Sequence, residues 1–329
     1  MGERRIGLTL GKYAPFHRGH QYVVETALRE MDDVIVIIYD CPETIDIPLP
    51  VRAGWIRKLY PRARVIEAWG GPNEMGYTPE IKRMHELYVL GLLDGQRITH
   101  FYSSEPYGEH MSEALGAADR RVDMERTTYK VSGTAVRESP YEKRAFLDPI
   151  VYRDMITKVV LLGAPSTGKT TLAASLAERY ATVWMPEYGR EYWERHHVDR
   201  RLSKEQLVEI AEGHIEREEG MFGQARRYAF VDTNAITTYM FSLYYHGEAH
   251  PRLAELAELA ATRYDLVFVC DTDVPYDDTW DRSGDVQRME FQAAIIADSE
   301  QRGIPYKLLS GTVEQRVRKV AEVLEGADE

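Results

Sequence analysis

The sequence predicts an α/β protein of two successive domains, each built on a parallel sheet. Three observations carry that prediction. Short apolar runs alternate with segments whose apolar residues recur at helical spacing, the pattern of strand–helix–strand units. Two glycine-bearing turns, residues 11–19 and 163–170, each follow directly on an apolar run and lead into a helical pattern. The 329 residues are enough for two domains that each bury a core of their own. Pro149 interrupts the pattern between them, which places the domains at 1–150 and 151–329.

In the first half, residues 4–10 read as a strand. After the turn, Tyr22, Val23, Ala27 and Leu28 mark a helix to about Met31. Residues 33–39 read as a buried strand, 51–60 as a helix, 64–68 as a strand and 80–93 as a helix. Residues 100–103 and 122–126 read as two further strands. In the second half, 158–162 is a strand and 170–180 a helix, and the stretch 183–191 follows a short second strand. Residues 227–231 form a third strand ending in Asp232, and 264–270 a fourth. A helix from about 289, a last strand at 306–309 and a helix over 313–324 complete the half. Ligands of such sheets bind at the carboxyl ends of the strands, where both turns lie.

Composition excludes several classes. The chain is 44% hydrophobic and 29% charged, as expected of a globular protein. The longest apolar runs, such as 34–38, are too short to span a bilayer, so no membrane insertion is expected. Residues 1–5 are followed by no apolar signal-peptide region, and Ile6 stands where a myristoylation site has Ser or Thr. Two cysteines, Cys41 and Cys270, make neither a disulfide framework nor a metal cluster, and the expected location is the cytoplasm. Residues 1–150 carry 20 Lys and Arg against 22 Asp and Glu; residues 151–329 carry 21 against 31. Neither half has the basic excess of a nucleic-acid-binding surface, so the expected partners are small molecules. The oligomeric state is left open, a homo-oligomer included.

The first turn places His17 and His20 on one face at the mouth of a helix, beside unpaired backbone N–H groups at the positive end of its dipole. Gly11 and Gly19 allow close backbone approach, and Lys12 adds a cation. Such a site suits the phosphates of ATP. A pair of surface histidines on a capped helix is the plain alternative. Against it stands a second element, residues 131–137, in which Ser132, Thr134 and Arg137 offer hydroxyls and a cation where another helix can start.

The second turn, Gly163-Ala164-Pro165-Ser166-Thr167-Gly168-Lys169-Thr170, fits the P-loop pattern in its strand–loop–helix context. Loop N–H groups from Gly163, Ser166, Thr167 and Gly168 through Thr171 would cradle phosphates. Lys169 would reach the β- and γ-oxygens, and Thr170 would ligate Mg²⁺ delivered with ATP. Glu187 follows the short strand, where a sugar hydroxyl could be bound or deprotonated, with Tyr188 and Arg190 beside it. Asp232 ends the third strand at a position suited to Mg²⁺. For both carboxylates a helix-capping role is the alternative. The polar stretch 277–288 reads as a lid bringing Arg282 and Arg288 to the γ-phosphate, or else as a solvated loop.

These motifs carry a resemblance. GKYAPFHRGH resembles the HxGH signature of nucleotidyltransferases, and SGTAVR resembles the ISSTxxR element of the same superfamily. With YSSEPYG, GAPSTGKTT, PEYGRE, FVDTNAITT, YHGEAHP and DDTWDRSG, they make nearly the whole chain resemble the NadR-type bifunctional proteins. The resemblance implies a Rossmann-like nucleotidyltransferase domain followed by a P-loop kinase domain. It implies phosphorylation of ribosylnicotinamide to nicotinamide mononucleotide (NMN) by the second, and adenylyl transfer from ATP to NMN, giving NAD and pyrophosphate, by the first. NMN would be held by Glu105 and Tyr107 of SSEPYG, with Trp55, Trp69 or Tyr107 stacking on nicotinamide. With the first strand starting by about Arg4, the helix-turn-helix that some members carry is not expected here. Asn234 stands where the family often has a second acid, which bears on Mg²⁺. Alternatives are an NAD- or NMN-sensing regulator with weak turnover, and the same reactions on another vitamin precursor.

Overall fold

The computed structural model describes residues 4–326, apart from 73, 75, 77, 106–107, 199–200 and 276–284. The chain divides into two compact units, Met1–Met155 and Ile156–Glu329. No helix among the described residues is long and apolar enough to cross a membrane.

The first unit holds β1 (Ile6–Gly11), β2 (Asp33–Tyr39), β3 (Ala63–Ala68), β4 (His100–Ser103) and β5 (Ala118–Arg121). They pair in parallel in the order β3-β2-β1-β4-β5. Leu8 lies between Ile35 and Phe101 in the register, and these three are buried with Leu10, Ile37, Val89 and Leu93. Such runs are apolar throughout because helices cover both faces of a parallel sheet. The order reverses at β1, so its carboxyl end, where the 11–19 turn begins, is the switch point at which α/β sheets bind ligands.

One expected strand is misplaced. Residues 122–126 form a turn, and β5 lies just before it. Its sequence, Ala-Asp-Arg-Arg, is that of a polar edge strand with no apolar periodicity to reveal it. The turn is set by Asp123, whose carboxylate accepts the backbone N–H groups of Thr127 and Thr128 at 2.8 and 3.2 Å.

The second unit holds β6 (Thr157–Leu162), β7 (Trp184–Met185), β8 (Tyr228–Asp232), β9 (Leu266–Cys270) and β10 (Lys307–Leu309). All pair in parallel in the order β10-β9-β6-β8-β7. The helices Lys169–Arg179 and Val313–Gly326 bury Leu172, Leu176, Val320 and Leu324 against Val159, Leu161, Phe230 and Phe268. Four helices were not foreseen: Tyr188–His196, Lys204–Phe222, Ala235–His246 and Pro251–Ala261. Three of them supply walls of the site described next.

Candidate functional site

In the first unit the chain leaves β1 at Gly11 and enters the helix Arg18–Glu30 through His17, its N-cap. His17 and His20 stack face to face, 3.7 Å between ring centroids, and Tyr13 meets His20 edge-on at 5.0 Å. Burial lowers the pKa of His17 to about 4, with the Arg126 charge adding to the effect. Burial, then the neighbouring His17, takes His20 well below its ordinary value. Both rings are therefore neutral at pH 7 and act as hydrogen-bonding groups, not as cations.

The two motifs of this unit meet. Arg137 Nη1 donates to the Ala14 carbonyl at 2.5 Å and Nη2 to Thr134 Oγ1 at 3.3 Å. A Cβ on Gly133 would stand 3.0 Å from that same carbonyl, so the close approach needs glycine. Ser132 caps the helix Gly133–Glu138 by accepting the Ala135 N–H at 3.2 Å. Lys12 Nζ donates to Glu43 at 2.7 Å and to Thr44 at 3.2 Å, at the edge of the same turn. Two residues escaped the sequence reading. Arg52 is buried and donates to the carbonyls of Lys12, Tyr39 and Ile47, fixing the exits of β1 and β2. Arg126, paired with Glu105 at 2.7 Å, is a cation near the histidine pair. A lone arginine carries no signal in sequence.

The aromatic expectations divide. Trp55 is 2% exposed, and its Nε1 donates to Asp154 at 2.8 Å. It belongs to the core and offers no face to nicotinamide, which corrects that assignment. Trp69 stands just past β3, 55% exposed, with Tyr88 donating its hydroxyl to the Trp69 carbonyl. Glu105 stands just past β4. Tyr107 and Arg282, with the rest of the 277–284 stretch, lie outside the described residues.

In the second unit the P-loop leaves β6 through Gly163, at φ +139, where a Cβ would stand 2.7 Å from the Cys270 carbonyl. Lys169 Nζ donates to the Gly163 and Ala164 carbonyls at 2.9 Å each, and Thr167 Oγ1 donates to the Ala164 carbonyl at 2.8 Å. The loop is braced from outside. Arg316 Nη1 donates to the Thr167 carbonyl at 2.5 Å, and Gln292 accepts the Ala164 N–H at 2.8 Å. Arg288 is also buried here, donating to the carbonyls of Ser166, Val274 and Thr272. Its expected place on a lid over the γ-phosphate is corrected: it belongs to the frame of the loop.

Asp232, fully buried at the end of β8, accepts from Thr170 Oγ1 at 2.5 Å. Burial raises its pKa to about 6, with Glu187 adding to the rise and Lys169 opposing it. Its Oδ1 has no hydrogen-bond partner among the described residues. A buried carboxylate oxygen left open beside a hydroxyl and a lysine fits a divalent cation completed by nucleotide phosphates. Among the described residues no group of three or more His, Cys, Asp or Glu could hold a metal unaided.

A cavity of about 830 Å³ opens from the P-loop, lined by Gly163, Ser166 to Thr171, Glu187 and Arg190. Trp193, Phe241 and Tyr245 supply aromatic lining that sequence reasoning did not single out. Tyr188, in contrast, packs under the Arg217 guanidinium at 3.9 Å and against Gly213, outside the cavity wall, which corrects its expected contact with ligand. Asn234 caps the helix Ala235–His246, its Oδ1 accepting the Ile236 N–H at 3.0 Å. Aspartate would cap equally well there, so asparagine keeps the local structure while dropping a charge.

Residues 158–316 match the family model of an AAA domain. The chain is similar to the trifunctional NAD biosynthesis/regulator protein NadR of Escherichia coli (strain K12), 27% identical over 329 residues, covering 92% of this chain and 78% of that protein. With NadR of Salmonella typhimurium (strain LT2) the identity is 28% over 331 residues, with the same shares covered. In fold it is similar to a NadR protein solved with NAD and AMP-PNP, at a TM-score of 0.58 and 22% identity, covering 98% of this chain and 96% of that one. A NadR protein solved with NR gives 0.57 and 22%, covering 98% and 95%. Similar in sequence over 92% of its length and in fold over 98%, the chain is a homologue of the NadR proteins.

Proposed function

We propose that this chain is an NAD biosynthesis enzyme with two activities, a ribosylnicotinamide kinase in the second unit and an NMN adenylyltransferase in the first. The observation that supports the reading is that the His17–His20 turn and the P-loop each follow the strand at which the order of a parallel sheet reverses. In the second unit the 5′-hydroxyl oxygen of ribosylnicotinamide attacks the γ-phosphorus of ATP, and the bond to the β–γ bridging oxygen breaks. Glu187, which lines the cavity, takes the hydroxyl proton. Lys169 and the loop N–H groups hold the transferring charge. Thr170 and Asp232 would hold Mg²⁺, which when bound offsets phosphate charge.

In the first unit a phosphate oxygen of NMN attacks the α-phosphorus of ATP, and the α–β bridging bond breaks as pyrophosphate leaves. No side chain need act as nucleophile. Neutral His17 and His20, with Lys12, Ser132, Thr134 and Arg137, align the phosphates and stabilise the departing charge. Trp69 and Glu105 stand at the strand exits where the NMN base and ribose would lie.

The test is an incubation of the full chain with Mg²⁺ and ATP, once with ribosylnicotinamide and once with NMN, products separated by chromatography. NAD from both is the expected result. NAD from NMN alone would remove the kinase assignment, and turnover of neither would remove both.

A further inference from the structure

One side chain of the second unit joins the carboxyl ends of three neighbouring strands. Arg316, in the first turn of the helix Val313–Gly326, is 1% exposed. Its guanidinium donates to the Thr167 carbonyl after β6, to the Asp271 carbonyl after β9 at 3.2 Å and to the Gly311 carbonyl after β10 at 3.0 Å. A fourth bond goes to the Asp273 carboxylate, which also accepts the Gly311 N–H. A Cβ on Gly168 would stand 3.7 Å from Arg316 Nη1, so the cation lies directly behind the turn that opens the helix Lys169–Arg179.

Stability alone does not account for an arginine in this place. A buried ion pair is often matched or bettered by apolar side chains of similar volume. The first turn of a helix is the positive end of its dipole and favours acidic groups over a cation. Here the cation also stands behind the start of a second helix, whose first residue is the buried Lys169. Asp273 and Asp232 offset part of this positive charge. The phosphates of a nucleotide would offset more. Peptide geometry adds a direction. The unit is planar and trans, so a Thr167 carbonyl drawn to Arg316 turns the Gly168 N–H to the opposite side. The same guanidinium fixes the segments that carry Val274 and Val313, which line the cavity with the P-loop.

We infer that Arg316 is a positioning residue for phosphoryl transfer. It aims the Gly168 amide at the nucleotide phosphates and keeps a fixed positive charge behind that amide. Being buried, it acts through the loop and not on the substrate. The inference rests on the kinase reading above and deepens it.

The test measures ADP released by the full chain from Mg²⁺-ATP and ribosylnicotinamide. ADP reports phosphoryl transfer alone, because adenylyl transfer releases pyrophosphate. In Arg316→Met, kcat/KM for ATP should fall about 100-fold, as misplacement of a phosphate-holding group does, while KM for ribosylnicotinamide stays within about 2-fold. Arg316→Lys keeps the charge but cannot bond four acceptors, and should stand about 10-fold below the wild type. Asp273→Asn leaves the three carbonyl bonds of Arg316 in place. It should lower Tm and keep kcat/KM for ATP within a few-fold. If instead all three variants melt lower while their ATP kinetics, read well below Tm, match the wild type, Arg316 serves the fold alone and the inference is overturned. Should Arg316→Met fail to fold, Arg316→Lys and Asp273→Asn decide by the same readings. Should the wild type release no ADP, amide exchange of the P-loop segment with and without Mg²⁺-ATP separates the two ideas. Protection in the wild type that weakens in Arg316→Lys keeps the positioning role while the kinase reading falls. Equal protection, or none, overturns the positioning role as well.

Discussion

His17 illustrates how one residue couples stability to its task. Its pKa falls from an ordinary 6.5 to about 4 because it is buried against His20. A depressed histidine adds stability that is fully present above pH 6.5 and is lost as pH falls through about 4, worth on the order of 3 kcal/mol at most. Amide exchange in β1 and β2 should therefore accelerate as pH drops from about 6.5 to 4, once corrected for intrinsic rates, and less steeply in His17→Asn. Equal slopes in the two proteins would show that the pair titrates freely. Asp232 is the opposite case, a fully buried carboxylate beside Glu187 with one oxygen left open. Asp232→Asn should cut phosphoryl transfer by roughly 10³-fold, as loss of a charge-holding group does. It should leave the unliganded Tm no lower, since the amide oxygen can still accept from Thr170. A large fall in Tm would mean that Asp232 serves the fold first. At this scale the sequence spoke unevenly. Lys169, Thr170 and Asp232 were legible because their spacing from strand ends is fixed by the loop. Trp55 was misread because indole looks alike as platform and as core, and only the contact with Asp154 separates them.

The phosphate loop, as an element, is held by three groups from two distant helices, Asp285–Gln301 and Val313–Gly326. Arg316 binds the Thr167 carbonyl, Arg288 the Ser166 carbonyl and Gln292 the Ala164 N–H. A carbonyl fixed outward turns the N–H of the next residue the other way, so Arg288 and Arg316 aim the amides of Thr167 and Gly168. None of this is legible in sequence, because the partners lie more than 120 residues apart and share no motif. The strands were legible for the contrary reason: β1, β2, β6 and β9 are buried apolar runs with local signals at both ends. Polar β5 had no such signal. Gly163 tests the frame, since it needs both φ +139 and the 2.7 Å approach to Cys270. Gly163→Ala should destabilise the second unit by about 1–3 kcal/mol and weaken ATP binding, as read by Tm with and without Mg²⁺-ATP. An unchanged Tm increment on adding nucleotide would show that the loop relaxes without loss.

Across the whole molecule, two compact units each carry a sheet, a switch point and a candidate phosphate site of their own. If each site is complete within its unit, damage to one leaves the other intact. His20→Ala should abolish adenylyl transfer and spare phosphorylation, because the rings that His20 packs on, Tyr13, Phe16 and His17, belong to the first unit. Lys169→Ala should do the reverse, because its ammonium is bound within the second. Neither variant should make NAD from ribosylnicotinamide. A mixture of the two should, after a lag in which NMN released by one accumulates for the other, and the lag should shorten as the Lys169→Ala protein is added in excess. Failure of the mixture to make NAD, with each single activity still measurable, would mean that NMN is not released between the steps. Loss of both activities in either folded variant would mean that the two sites are not separate.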